Sequence, residues 1–126
     1  MRILFLSRWY PYPPDNGSKL RIFNLLKVIT ARHEVTLISF AEPGEGERPD
    51  DPLKRSCRQV RMIPFKSYQP QSWNARLGFL SLKPRWLVDT HSPEMAARIR
   101  HTVQSENFDL VIASQISMAA YADEFG

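Results

Sequence analysis

The sequence is short of the features that would take it out of the ordinary globular class. It has a single cysteine, Cys57, so an intramolecular disulfide is impossible and a sulfur-based metal site lacks its other ligands. That usage fits a reducing compartment. Apolar runs such as Ile3 to Leu6 and Val35 to Ile38 fall far below the roughly 20 residues of a membrane-spanning helix. Arg2 is not followed by the apolar core of a secretory signal, and the expected location is the cytoplasm. Among the 5 glycines there is no Gly-x-Gly-x-x-Gly, no Gly-Lys-Ser/Thr step and no Gly-x-Ser-x-Gly, so NAD binding, P-loop NTPase activity and nucleophile-elbow hydrolysis have no support. His33, His91 and His101 lie far apart and share no metal-ligand spacing. No repeat or low-complexity tract is present.

What is there is one domain's worth of chain: 126 residues, 43% of them hydrophobic and 24% charged. Seventeen Lys and Arg against thirteen Asp and Glu give a net charge of +4, which favours anionic partners without naming one. The basic residues are scattered, as a solvated surface requires, and no aromatic and basic residues alternate along one strand, so nucleic acid is not expected as a partner.

Arg2-Ile-Leu-Phe-Leu-Ser7 reads as a strand buried on both faces, because its apolar residues do not alternate with polar ones. Arg8 to Ser18 follows as a long shaped loop, with three prolines and the turn-forming Asn16-Gly17. From Leu20 to Ala31 the residues Ile22, Leu25, Leu26 and Ile29 recur at helical spacing, with Phe23 and Val28 widening the stripe and Asn16 or Ser18 available as the cap. Glu34 to Phe40 is a second strand and Arg58 to Pro64 a third, nearer an edge. The polar stretch from Ala41 to Pro52 between them predicts an exposed, mobile loop. A short helix within Tyr68 to Arg85 is expected to break at Pro84. Ser92-Pro-Glu-Met starts a helix running to about Ser105, with Met95, Ile99 and Val103 inward. Asp109 to Ala113 is a fourth strand, and Met118 to Ala122 reads as helical.

Strand and helix alternate, so the fold expected is α/β, a Rossmann-like parallel sheet with helices on both faces. With β1 central, the second and third strands on one side and the fourth on the other, strand order reverses between the first and fourth. Ligands of such sheets bind at the carboxyl ends beside that reversal. Two loops meet there, Arg8 to Ser18 and Ser114 to Ser117. In the first, Asn16-Gly17-Ser18 leads into a helix whose free N–H groups suit an anion such as a phosphate, with glycine permitting close approach. Trp9, Tyr10 and Tyr12 could stack on a sugar or fold back over the core. Asp15 lies in the same loop, whereas Asp89, Glu94 and Asp109 read as element-start carboxylates, and no acid-base pair can be assembled.

The run Met1-Arg-Ile-Leu-Phe-Leu-Ser-Arg-Trp-Tyr-Pro-Tyr-Pro-Pro-Asp-Asn-Gly-Ser-Lys-Leu-Arg-Ile-Phe-Asn-Leu-Leu-Lys27, followed by His33-Glu-Val-Thr-Leu-Ile-Ser-Phe40, resembles the amino-terminal domain of retaining glycosyltransferases of the GT-B fold. The likeness is to family 4-like enzymes, a broad group that includes sucrose synthases and bacterial mannosyltransferases. Ser92-Pro-Glu-Met, Phe108-Asp-Leu-Val-Ile112 and Met118-Ala-Ala-Tyr121 continue the pattern. The resemblance implies transfer of a sugar from a nucleotide-sugar donor to a polysaccharide or glycolipid acceptor, with residues 1–126 as the acceptor-side domain and no cofactor of its own. Asn16, Gly17 and Ser18 match the loop that approaches the donor diphosphate. Arg8, Tyr10 and Arg21 match the acceptor region. Gln115, beside Ser114, stands where the family often carries a histidine near the reacting sugar, which leaves it as a hydrogen-bonding substitute. The carboxyl-terminal domain that would hold the donor is missing from this sequence, so the chain alone is expected to be inactive. Three further expectations attach to it: an exposed apolar flank that promotes self-association or takes a partner, contact of the basic and aromatic stretch from Tyr68 to Arg85 with an anionic membrane surface at its inner face, and, as an alternative to the transferase, a non-catalytic ligand- or partner-binding Rossmann-like module.

Overall fold

The computed structural model describes residues 1–65, 71–80, 82, 84 and 91–126, the side chains of 74, 75 and 78 excepted. Four parallel strands form one sheet: β1 (Arg2–Ser7), β2 (Glu34–Ala41), β3 (Gln59–Pro64) and β4 (Leu110–Ala113), in the spatial order β3-β2-β1-β4. This is the predicted α/β, Rossmann-like arrangement, with the reversal between β1 and β4. The register aligns Leu6 with Ile38 on one side and with Ala113 on the other, so the chain leaves both inner strands at the same edge.

Side chains of β1 alternate between two cores, which explains its unbroken apolar run. Ile3 and Phe5 point to one face, where Ile22 and Leu26 of α1 (Gly17–Thr30) and Leu53 of the one-turn helix α2 (Leu53–Ser56) cover them with Val35 and Leu37. Leu4 and Leu6 point to the other, with Ile38, Ile63, Met95 and Ile99. Those last two belong to α4 (Pro93–Ser105), whose capping serine, Ser92, accepts the Met95 N–H at 3.2 Å. Each fully buried aliphatic side chain contributes about 1.5–3 kcal/mol relative to exposure, so the two cores account for the sheet being closed on both faces.

Several expectations are corrected. Asn16, rather than Ser18, caps α1, which begins at Gly17 rather than Leu20. Leu25 and Val28 are 43% and 69% exposed, so the helix buries a narrower stripe than its composition suggested. The segment 41–52 is not an exposed loop throughout: Asp51 is buried, Gly46 packs against the Met62 side chain, and α2 follows directly. Between β3 and α4 the chain forms α3 (Trp73–Leu77) and a single 3-10 turn at Gly78–Leu80. Asp89 and, of the basic and aromatic stretch, Tyr68, Lys83 and Arg85 lie outside the described residues. After β4 come α5 (Ile116–Ala119) and a 3-10 turn at Ala122–Glu124.

Candidate functional site

Two loops meet at the carboxyl ends of β1 and β4, and their contact is direct. The Ser114 N–H donates to the Leu6 carbonyl at 3.0 Å, extending the β1·β4 ladder past its last pair. The Arg8 backbone N–H then donates to Gln115 Oε1 at 2.9 Å, and the Ser114 hydroxyl donates to the same oxygen. Two donors on one carboxamide oxygen fix which end of the amide is which. The Gln115 Nε2 is buried and has no acceptor among the described residues, and the same holds for Ser117 Oγ. Both atoms that lack a partner in this way belong to one four-residue turn. A buried unsatisfied polar group costs about 1–3 kcal/mol, so such a pair at a strand-order reversal marks a place where a ligand or water completes the hydrogen bonding.

Arg8 stands between two concavities at this edge. Its guanidinium lies 5.3 Å from the ring centroids of both Trp9 and Phe65, and no carboxylate pairs with it among the described residues. Burial pulls its pKa below the ordinary arginine value, opposed in part by Tyr121. The larger concavity is an open cleft of about 270 Å³ lined by Arg8, Trp9, Asn16, Lys19, Phe40 and Glu45, among others. The smaller is a niche of about 10 Å³, walled by Arg8, Phe40, His91, Ser117 and Tyr121. The Tyr121 hydroxyl accepts the Ser92 N–H at 2.9 Å, and its ring stacks on His91 at 4.9 Å. Burial holds its pKa up, so the phenol keeps its proton at neutral pH.

The sequence-predicted residues divide. Arg8 and Asn16 line the cleft, while the turn bearing Gln115 holds the Arg8 backbone and borders the niche through Ser117, not the cleft. Asn16 Oδ1 accepts the Lys19 N–H at 2.9 Å and so satisfies one end-of-helix donor, leaving the Gly17 and Ser18 N–H groups facing outward. Gly17 has no left-handed backbone angle, and a Cβ there would meet nothing within 4 Å, so the protein's own packing does not require glycine. The charge around this helix start is mixed: Lys19 Nζ is ion-paired with Glu45 and lies 3.8 Å from Asp15. Arg21 is exposed on α1 and does not line the cleft.

Tyr10 is elsewhere. It is 0% exposed, packs in the α1 core, and its hydroxyl donates to Asp51 Oδ2. Asp51 Oδ1 accepts the Leu53 N–H at 2.9 Å, which starts α2. Burial, with Asp51 beside it, pushes the Tyr10 phenol well above its ordinary range. Tyr12 packs on Phe23 at 5.9 Å and Trp9 on Phe65 at 6.0 Å, so these rings fold back on the domain, with Trp9 alone of the three contributing to the cleft wall. Below them, burial raises the Cys57 thiol to about 11, which leaves it a thiol and not a nucleophile at neutral pH.

Sequence reasoning did not find Ser117, Tyr121 or His91. Ser117 carries no motif, and Tyr121 reaches the site only because the last turns pack back over α4, where Arg100 Nη2 meets Glu124 Oε2 at 2.7 Å. Among the described residues no group of three His, Cys, Asp or Glu side chains is placed to hold a metal ion, and no helix is long and apolar enough to cross a membrane. No protein-family model, curated protein or solved structure matches the chain.

Proposed function

We propose that this chain is the acceptor-side domain of a glycosyltransferase that moves a sugar from a nucleotide-sugar donor to a saccharide or glycolipid acceptor. What carries the reading is the open cleft at the carboxyl ends of β1, β2 and β3, lined by Arg8, Trp9 and Asn16 from one loop, with Arg8 held from its other side by the turn that leaves Gln115 Nε2 and Ser117 Oγ without partners among the described residues. A cleft of about 270 Å³ with one aromatic wall and several hydrogen-bonding groups suits a sugar ring better than a flat apolar ligand. The outward N–H groups of Gly17 and Ser18 would meet the diphosphate edge of a donor held by a second domain. In that assembly the contribution of these residues is positioning of the acceptor and stabilisation of charge on the departing diphosphate. The test is a titration of the 126-residue chain, followed by amide NMR, with free hexoses and with UDP-glucose and GDP-mannose. Hexoses should perturb Arg8, Asn16 and Gln115, the nucleotide sugars should bind weakly, and no transfer should occur. Hexoses that leave all three signals in place would remove the sugar reading. Micromolar donor affinity with turnover would remove the need for a second domain.

A lipid-linked acceptor is favoured by a separate observation: Trp73, Leu77, Phe79, Leu80 and Leu82 are all exposed, and the Arg76 guanidinium lies 5.7 Å from the Trp73 ring centroid. Exposed aromatics beside a cation are the pattern of a segment that rests at an anionic lipid surface. Co-sedimentation with anionic but not neutral vesicles, abolished by Phe79→Ser with Leu80→Ser, is the expected result, and a chain that stays in the supernatant of both would exclude it.

The second reading, a non-catalytic module, draws on Leu25, Val28 and Leu110, which remain exposed on α1 and at the β4 edge. Light scattering across a concentration series separates the two. Association that is lost in Val28→Glu supports a binding module; a monomer at every concentration removes this support.

A further inference from the structure

The donors around the small niche have a common sign that the sugar reading does not explain. Arg8 brings a guanidinium with no carboxylate opposite it among the described residues, Tyr121 brings an O–H whose oxygen already accepts from Ser92, and Ser117, a residue 7% exposed, brings a buried hydroxyl with no partner among the described residues. All three wall one space. The guanidinium can only donate, and the two hydroxyls each keep a proton free to give, so a ligand group rich in lone pairs and carrying negative charge satisfies all three at once.

The size and surroundings of the space narrow the choice of anion. At about 10 Å³ the niche holds one oxygen-sized group. It shares Arg8 and Phe40 with the open cleft, so a ligand can seat one oxygen in the niche while its body lies in the cleft. A flat carboxylate does this, with its second oxygen still on the guanidinium fork. A phosphate would bring three bulkier oxygens. It would also bring up to two charges toward Asp15, Glu42 and Glu45, which line the same cleft and of which Lys19 compensates only part.

We propose that Arg8, Ser117 and Tyr121 form a carboxylate-binding site, and that the sugar accepted by this cleft is an acidic one. The carboxylate half of the assignment rests on these three side chains alone, and the sugar half rests on the transfer reading above. Arg8 holds the charge, Ser117 and Tyr121 donate to the seated oxygen, and Gln115 sets the height of Arg8 by accepting its backbone N–H.

The experiment is amide NMR of the whole chain titrated with sodium glucuronate, acetate, glucose and inorganic phosphate at constant ionic strength. Glucuronate and acetate should shift the signals of Arg8, Ser117 and Tyr121 saturably, glucuronate more tightly, with phosphate weaker than either. Arg8→Gln should raise the glucuronate Kd about tenfold or more, the loss expected for a charged hydrogen bond. Arg8→Lys, which keeps the charge and loses the fork, should fall between, Ser117→Ala should weaken binding severalfold, and Arg98→Gln on the far side of α4 should change nothing. Failure of both carboxylates to shift these signals, an Arg8→Gln variant that binds as the parent does, or phosphate binding more tightly than glucuronate would each overturn the assignment. Should Arg8→Gln fail to fold, Arg8→Lys and Ser117→Ala decide in its place. Acetate bound as tightly as glucuronate would leave the carboxylate site standing and count against the sugar.

Discussion

The two ends of the sheet treat their polar groups in opposite ways. At the amino ends of the strands, Arg2 Nη2 meets Glu106 Oε2 at 2.9 Å, Arg58 Nη1 meets Glu34 Oε2 at 2.9 Å, and Gln59 Nε2 donates to Glu106 Oε1 at 3.2 Å. Asp109 adds a carboxylate that accepts the Arg2 backbone N–H at 2.7 Å. Arg2 and Arg58 there each have a carboxylate within reach. At the carboxyl ends, Arg8 has none among the described residues, and Ser117 and Gln115 keep unpartnered donors under the surface. Folding alone explains the first end, because paired and half-exposed ions close the bottom of the sheet at little cost. It does not explain the second, where the chain gives up hydrogen bonds that a few methyl groups could have made unnecessary. The difference needs no motif, and it is what the proposal of a ligand end rests on.

The largest test of this contrast is Tyr10→Phe, because Tyr10 sits at the carboxyl end yet is paired as the amino-end residues are. Removing the phenol oxygen leaves the buried Asp51 carboxylate with the Leu53 N–H as its remaining partner. The expected loss is about 3 kcal/mol of unfolding free energy, measured by urea titration, with the hexose-induced shifts of Arg8 and Gln115 the same as in the parent. A variant as stable as the parent but blind to saccharides would return Tyr10 to the acceptor site and blur the division.

Glu106→Ala comes next. Its carboxylate is 14% exposed and is shared by Arg2, Arg58 and Gln59, so its removal strands several donors at once. Because Arg2 and Arg58 are substantially solvated, the loss is held to about 2 kcal/mol, with no effect on ligand binding at the opposite end. An altered glucuronate affinity in this variant would mean that the two ends are coupled.

The architecture was legible because it rests on local patterns. The unbroken run Ile3 to Leu6, the spacing of Ile22, Leu26 and Ile29, and the Ser92-Pro93 start each act within one or two turns of chain, and together they impose the parallel sheet and its reversal. The site is legible only in part. The meeting of the two loops and the Asn16 turn into α1 follow from the strand order, and Arg8 and Gln115 from the family resemblance, but the partners of these residues follow from neither. Tyr10 finds Asp51 across 41 residues and Arg8 finds Gln115 across 107, and no spacing rule carries that information. Asp51 was hidden by its polar neighbours, which made its loop read as solvent-exposed. Leu25 and Val28 erred the other way, since an apolar residue at helical spacing is buried only if something is there to cover it.

Ser117→Ala reverses the sign of the amino-end result. The hydroxyl is buried and unpaired, so replacing it by hydrogen removes a desolvated group and leaves its neighbours' hydrogen bonds intact. The protein should gain about 1 kcal/mol of stability while losing affinity for glucuronate severalfold. Thermal melting and the NMR titration read the two quantities separately. Destabilisation by a similar amount would show that the hydroxyl is satisfied in solution, and the contrast between the two ends would lose its sharpest point.

Gly17→Ala is the smallest expected change in stability and separates the helix start from the niche. Gly17 opens α1 with an ordinary backbone angle and open space where a Cβ would project, so alanine fits without strain and reduces the freedom of the unfolded chain. Unfolding free energy should be unchanged or rise by up to about 1 kcal/mol. Glucuronate binding at Arg8 should not change, because nothing at Gly17 lines the niche. What the methyl does change is access to the Gly17 and Ser18 N–H groups, so any weak perturbation of these two amides by UDP-glucose or pyrophosphate should disappear. If the variant is less stable than the parent, glycine is needed by the fold itself and its outward face carries no message about a ligand. If it is as stable and pyrophosphate still shifts Ser18, the anion lies farther from the helix start than the open N–H groups suggest, and the carboxylate proposed at Arg8 is then held without help from the start of α1.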